Sequence, residues 1–479
     1  MADAATGATS SMSVAPYWEV TFDADGDVDG GQRDRLLAGV VRQGVRDLVV
    51  FAHGWNNDRS GATALYSRFF APFPRLAPAA RLGYVGVVWP SMRFSDEPIP
   101  DLPRSSVAAG PARRPALEQD TRDALLVAFP GRAAVVERIA GLLELRPPGD
   151  AGLEEYGRLV RLLVAAAPSG PQESCAADVL SGGAPQDAPL MLHAPTAEVC
   201  EDFARALALM ESGSGAAGFS MPNPWDGAHE LLRQATYYAM KRRAGTVGER
   251  GLGPLVGRLA GAAPQLRVHL VGHSFGGRLV SFALRGLPEG VRAVKSVTLL
   301  QAAFSHYAFA ARLPHDARAG GALNGRQSRV DGPLVCCHSR YDSALGTIYP
   351  LASRMAGDER GAAEEFGAAG EPGAAGEPGA AGTVAGVGAA GELEFGGEFG
   401  FGGVSGAKWG AMGYGGVRAV PGTRACTLAE ALAGPLPASG CVNVDVAEVV
   451  RRGGPPSGAH SDIVHPELAR LVLSAGRVR

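Results

Sequence analysis

Apolar residues gather along this chain in short runs rich in Val and Leu, each closed by turn-forming residues, rather than in the strict alternation of a half-exposed sheet. Runs of this kind are strands buried on both faces, as in a parallel sheet. Six of them are Tyr17 to Phe22, Leu48 to Ala52, Tyr84 to Trp89, Leu266 to Val271, Ser296 to Leu300 and Pro333 to Cys337, and a seventh is Cys441 to Val444. Helical periodicity fills several gaps. Arg33 to Val41 follows the first run, and Arg278 to Arg285, stopped by Gly286, follows the fourth. Strands that alternate with helices predict a wound α/β sheet.

Two stretches interrupt this pattern. Between Trp89 and a helix starting near Ala228 the strand signal disappears, and helix-period segments stand between Pro- and Gly-rich breaks. Val135, Ile139, Leu142 and Leu143 fall on one helical face, as do Tyr156, Leu159 and Leu163 and, further on, Val199, Phe203 and Met210. An insertion at this point of the chain would sit over the carboxyl ends of the strands, where a lid that selects substrate is expected. The second stretch, roughly 356 to 416, is low in complexity, with Gly367, Gly370, Gly373, Gly376, Gly379 and Gly382 spaced by three. So few triplets cannot sustain a collagen triple helix, and a flexible surface loop is expected. The organisation is then a core in three pieces, 1–90, 228–355 and 417–479, with the helical lid at 91–227 and the Gly-rich loop at 356–416.

With 46% hydrophobic and 19% charged residues among 479, the chain buries a sizeable core, and one large α/β domain with insertions accounts for the length. A formal charge of -3 offers no field for a phosphate backbone, so nucleic acid is not an expected partner. Met1 to Pro16 lacks the basic and apolar regions of a secretory signal, and no apolar run reaches the ~18 residues of a membrane span. A cytoplasmic protein is expected. Cys175, Cys200, Cys336, Cys337, Cys426 and Cys441 are scattered without metal-ligand spacing and fit reduced thiols.

Candidate chemistry starts at Gly272-His273-Ser274-Phe275-Gly276. A serine hydroxyl attacks well only when a base takes its proton and the developing oxyanion is stabilised. With 67 glycines in the chain, a Gly-x-Ser-x-Gly match arises easily by chance, so its setting decides. A buried strand leads into the motif and a helix leaves it. A nucleophile on so sharp a turn has strained backbone angles, and side chains two residues away would collide, which is why Gly272 and Gly276 flank it. Gly277 keeps the helix close to the sheet. The N–H of Phe275, at the positive end of the helix, can point at an oxyanion.

The second run leads into His53-Gly54-Trp55-Asn56-Asn57-Asp58, a segment that resembles the oxyanion loop of lipases and esterases in the α/β-hydrolase superfamily. With Val88-Trp89-Pro90-Ser91 and Gly272 to Gly277, it is similar to a group of bacterial α/β-hydrolases over about 40 to 90, 228 to 350 and the tail. The resemblance implies an α/β-hydrolase fold, a mostly parallel central sheet flanked by helices, and serine hydrolase chemistry. It also implies that Trp55 supplies the second backbone donor, while only the backbone of His53 is needed.

In this fold the chain order is Ser, acid, His. Asp342 follows the run Pro333 to Cys337 and is the expected acid, and Asp331, before that run, is the weaker alternative. His460 follows Cys441 to Val444 and is the expected base; His465, next to a final helix from about Pro466, is its alternative. The Gly-rich insertion separates acid from base further than the family pattern does. Closure of so long a loop is tolerable, since each doubling of length costs only about 0.6 kcal/mol.

Two signals are set aside. Asp25-Gly26-Asp27-Val28-Asp29-Gly30 begins like a calcium loop, but Leu36 stands where a bidentate Glu is needed, so a polar turn is expected. Gly251-Leu252-Gly253 lacks dinucleotide spacing and a preceding strand. No cofactor and no metal site are expected. The expected reaction is cleavage of a small carboxylic ester through an acyl-enzyme on Ser274. Thioesterase or acyltransferase chemistry, or a silent hydrolase fold that serves as a binding module, are the alternatives.

Overall fold

In a computed structural model of the chain, the described residues are 12–55, 59–92, 94, 117–165, 172, 174–181, 190–212, 223–348, 410–454 and 457–478. Among these described residues ten strands follow in chain order: β1 (Tyr17–Thr21), β2 (Asp47–Ala52), β3 (Leu82–Val88), β4 (Val179–Ser181), β5 (Arg267–His273), β6 (Val294–Leu300), β7 (Ala319–Gly321), β8 (Pro333–His338), β9 (Arg424–Thr427) and β10 (Gly440–Asp445). Eight of them form one sheet in the order β1-β3-β2-β5-β6-β8-β10-β9. Every pairing in that sheet is parallel. The seven expected strands are all present within two residues of their expected ends.

Helices cover both faces, which is why β2 and β3 are buried at every position and read as unbroken apolar runs. On one face Gly30–Arg42, Gly253–Ala262 and Phe275–Gly286 share a core with Leu48, Val50, Val85 and Leu270. On the other, Arg59–Phe70, Leu428–Ala433 and Pro466–Gly476 pack against Val49, Phe51, Val271 and Val335. The Asp-rich stretch between β1 and the first helix is a turn. The Asp23 carboxylate accepts from the Asp25 and Asp27 amides, and Asp29 caps the helix by accepting from Gln32 N at 2.8 Å.

The insertion contains the helices Gln119–Ala128, Ala133–Leu145, Asp150–Val164 and Thr196–Ser212. Ile139, Leu142, Leu143, Tyr156, Leu159, Leu163, Val199 and Phe203 are buried, whereas Val135 is half-buried because Val136 takes the inward position. The side chain of Met210 lies outside the described residues. These helices pack on the long helix Pro224–Thr246, which starts before Ala228 because Asn223 caps it and Pro224 opens it. Tyr156 Oη donates to Ala228 O at 2.6 Å, and the Arg243 guanidinium donates to Pro90 O at 2.7 Å and Ala128 O at 2.9 Å. The insertion also holds β4, paired antiparallel with β7, a correction to the all-helical expectation; three residues are too short to show a period.

Of the Gly-rich segment 356–416, only 410–416 are described, and these are packed rather than loose. Ala411 and Met412 are buried, and Met412 N and Gly413 N donate to Phe304 O and Ala302 O. A side chain at Gly413 would reach within 2.3 Å of the Gln301 carbonyl carbon, so only glycine permits this approach. Among the described residues no helix is long and apolar enough to cross a membrane.

Strand order identifies one special place in the sheet. The chain passes from β2 outward to β3, then returns to β5 on the other side of β2 before moving away through β6, β8 and β10. The connections that leave β2 and β5 therefore diverge, opening a crevice at their carboxyl ends. In open α/β sheets ligands bind at such a switch point.

Candidate active site

Ser274 stands at the end of β5, at the switch point, with φ 54° and ψ -122°. A non-glycine residue held there is strained, and the surroundings hold it. Its N–H donates to Leu300 O at 3.1 Å, and its carbonyl accepts from Gly277 N at 3.0 Å and Ala303 N at 3.3 Å. A Cβ on Gly276 would lie 1.9 Å from Ala52 O, and one on Gly272 would lie 2.3 Å from Gly276 O. The motif's glycines thus let the turn touch both its own helix and the end of β2. Gly54 serves the facing loop likewise, since a Cβ there would meet Ser274 Cβ at 2.7 Å.

Two further loops converge on the serine. His460 Nε2 lies 2.9 Å from Ser274 Oγ, and His460 Nδ1 lies 2.7 Å from Asp342 Oδ2. The second oxygen of the buried Asp342 accepts from Leu345 N at 3.0 Å, which fixes the carboxylate. Backbone bonds stitch the two loops together: Ala459 N to Tyr341 O at 2.8 Å and Ala344 N to Ser457 O at 3.3 Å. The alternatives lie elsewhere. His465 caps the final helix and pairs with Asp462 at 2.8 Å, while Asp331 pairs with Lys295 at 2.5 Å at the opposite end of β8. An imidazole between a hydroxyl and a fixed carboxylate can accept the hydroxyl's proton and be stabilised as the cation.

A second Ser, His and Asp alignment shows what that geometry needs besides distance. His269 Nδ1 lies 2.9 Å from Ser296 Oγ and its Nε2 3.0 Å from Asp47 Oδ1, with Arg267 on the same carboxylate at 3.1 Å. All three lie toward the amino ends of β2, β5 and β6, and the His269 side chain has 0% exposure against 16% for His460. Burial pushes the His269 pKa down, and no reactant reaches it. It ties strands together.

His273, inside the motif, donates from Nε2 to His460 O at 2.9 Å, so its proton sits on that nitrogen. Burial and the neighbouring His460 hold its pKa down to about 3. His273 is therefore neutral and adds no second charge beside His460. The unfolded chain takes up a proton near the ordinary value of 6.5 that the folded chain refuses down to about 3. Within that window acid favours unfolding, by up to about 1.4 kcal/mol per pH unit for one proton. Urea midpoints at pH 7 and pH 5 should fall less steeply for His273→Gln than for the parent; equal slopes would show that His273 is protonated when folded.

The loop after β2 is held from behind. Tyr66 Oη accepts from His53 N at 3.0 Å and donates to Val87 O at 2.6 Å, and Trp89 Nε1 donates to His53 O at 3.0 Å. The His53 ring stacks on Trp89 at 5.5 Å, so its side chain props the loop. Trp55 follows, facing Tyr237 and Phe94. Phe275 is the first residue of the helix that follows Ser274, a position whose N–H has no partner within the helix.

Sequence reasoning missed what anchors that helix. Arg278 is fully buried; its Nε donates to Asp178 Oδ1 at 2.9 Å, its Nη1 to the carbonyl of Lys241 and its Nη2 to those of Cys175, Ala176 and Ala177. Lys241 Nζ lies 3.0 Å from Asp178 Oδ2, which also accepts from Ser305 N at 3.1 Å. Burial alone would raise the Asp178 pKa, but the two cations more than reverse this and hold it below the usual carboxylate range. Gln301, one residue past β6, was missed too. It is fully buried at φ 43°, and neither atom of its side-chain amide has a hydrogen-bond partner among the described residues. No local pattern announces either feature. Among the described residues no group of three His, Cys, Asp or Glu side chains could hold a metal ion. Comparisons with protein-family models, with curated proteins and with solved structures find no match for this chain.

Proposed function

We propose that this chain is a serine hydrolase of the α/β-hydrolase kind that cleaves a carboxylic ester. The observation that carries the reading is the continuous hydrogen-bonded chain Ser274, His460, Asp342, at 2.9 and 2.7 Å, at the sheet's switch point. In the first step His460 Nε2 takes the hydroxyl proton as Ser274 Oγ bonds to the ester carbonyl carbon, and Asp342 stabilises the imidazolium. Electrons pushed onto the carbonyl oxygen are met by the backbone N–H groups of Phe275 and Trp55. When the C–O bond to the leaving group breaks, His460 returns its proton to the departing alkoxide and an acyl-enzyme remains. Water, deprotonated by His460, then releases the acid and regenerates Ser274. Residues 91–227 serve in this reading as the lid over the crevice.

A fluorophosphonate probe tests the reading directly, because it phosphonylates only an activated serine. One adduct on Ser274 is expected, and none in Ser274→Ala. A wild-type protein that forms no adduct would leave a silent hydrolase fold that binds a partner as the better account.

A further inference from the structure

The helix Pro224–Thr246 is buried nearly all round. Between Gly227 and Lys241 only His229, Arg233 and Tyr237 keep partial exposure, four residues apart and so on a single stripe. Aromatic side chains from other segments meet that stripe. Phe94 lies 5.9 Å from the His229 ring, under the Arg233 guanidinium at 5.5 Å, and 6.0 Å from the Trp55 indole. At its end the Tyr237 ring stands between the Trp55 indole, 5.4 Å away and nearly perpendicular at 84°, and the Phe275 ring, 4.5 Å away at 44°.

We infer that Tyr237 is a positioning residue that sets the spacing between the backbone donors of Trp55 and Phe275; the inference rests on the hydrolase reading. The two donors belong to separate parts of the chain, one after β2 and one after β5, and the side chains of both converge on this one ring. Edge-to-face and tilted ring contacts resist sliding, because the rings' charge distributions favour particular angles. An oxyanion hole needs its donors about 2.7–3.1 Å from the developing charge, and a misplacement of about 1 Å costs about a hundredfold in rate. Tyr237 belongs to the helix on which Ala133–Leu145, Asp150–Val164 and Thr196–Ser212 of the insertion pack, so these helices bear on the donor spacing through this ring.

The test compares Tyr237→Phe, Tyr237→Leu and Tyr237→Ala with the wild type. Steady-state kinetics on a short-chain aryl ester are measured beside the second-order rate of fluorophosphonate labelling. Loss of the ring should lower kcat about 10- to 100-fold with KM within about threefold, and labelling should slow in parallel. Tyr237→Phe should restore both. Tyr237→Leu keeps an apolar filling and provides the reading if Tyr237→Ala does not fold. A rise in KM at constant kcat would make the ring a substrate wall and overturn the inference, as would a Phe variant as impaired as the Leu one. An unchanged Leu variant of a wild type that is labelled overturns the inference alone. A wild type inert to the probe overturns the hydrolase reading, and this inference with it.

Discussion

Ser274→Ala protein is expected to hydrolyse a short-chain aryl ester with kcat at least about a thousandfold below wild type. The substitution removes one oxygen atom, the one that lies 2.9 Å from His460 Nε2, and with it the acyl-enzyme route of the proposed mechanism. Asp342→Asn and His460→Ala should each be severe, and combining either with Ser274→Ala should add little, because the three act as one unit. Folding should barely change. The strained backbone at 274 is held by Leu300, Gly277 and Ala303 through main-chain bonds that alanine keeps. A rate unaltered by Ser274→Ala would assign any measured esterase activity to another group or to a contaminant.

The second large effect is on stability. Asp178→Ala should destabilise the fold by about 3–5 kcal/mol, because it leaves the Arg278 and Lys241 charges buried without the carboxylate they share. Against a typical total of about 5–15 kcal/mol, that is a large fraction. Urea unfolding should show a lower midpoint at an unchanged slope. Asp178→Asn should lose less, since an amide oxygen can still accept from Ser305 N. An Asp178→Ala protein with the wild-type midpoint would mean that water reaches both cations.

The strands were legible because burial on both faces leaves apolar runs such as Leu48 to Ala52 with no polar interruption. β9 escaped notice for the opposite reason. It is an edge strand, largely exposed, and Arg-Ala-Cys-Thr carries no apolar signal. Ser274 was legible because its constraints are local: a strained turn needs glycine within two residues on each side. Asp342 and His460 lie 118 residues apart and were found only through the chain order that the resemblance supplied. Tyr237, Asp178 and Gln301 had no such guide. Tyr237 and Asp178 matter through partners far off in sequence, Asp178 through an arginine 100 residues away, and such encounters are decided by packing rather than by neighbours.

The order of strands across the sheet also bears on how the protein is made. From β5 outward the sheet grows in the order of synthesis, β6, then β8, then β10 against the free side of β8, with only β9 reaching past it. A ribosome adding about 5–20 residues per second therefore releases the strained serine long before the loop that carries His460, which follows β10. The emerging chain can assemble the sheet around Ser274 before His460 exists, so on the hydrolase reading the hydroxyl stays inert until the loop after β10 is made.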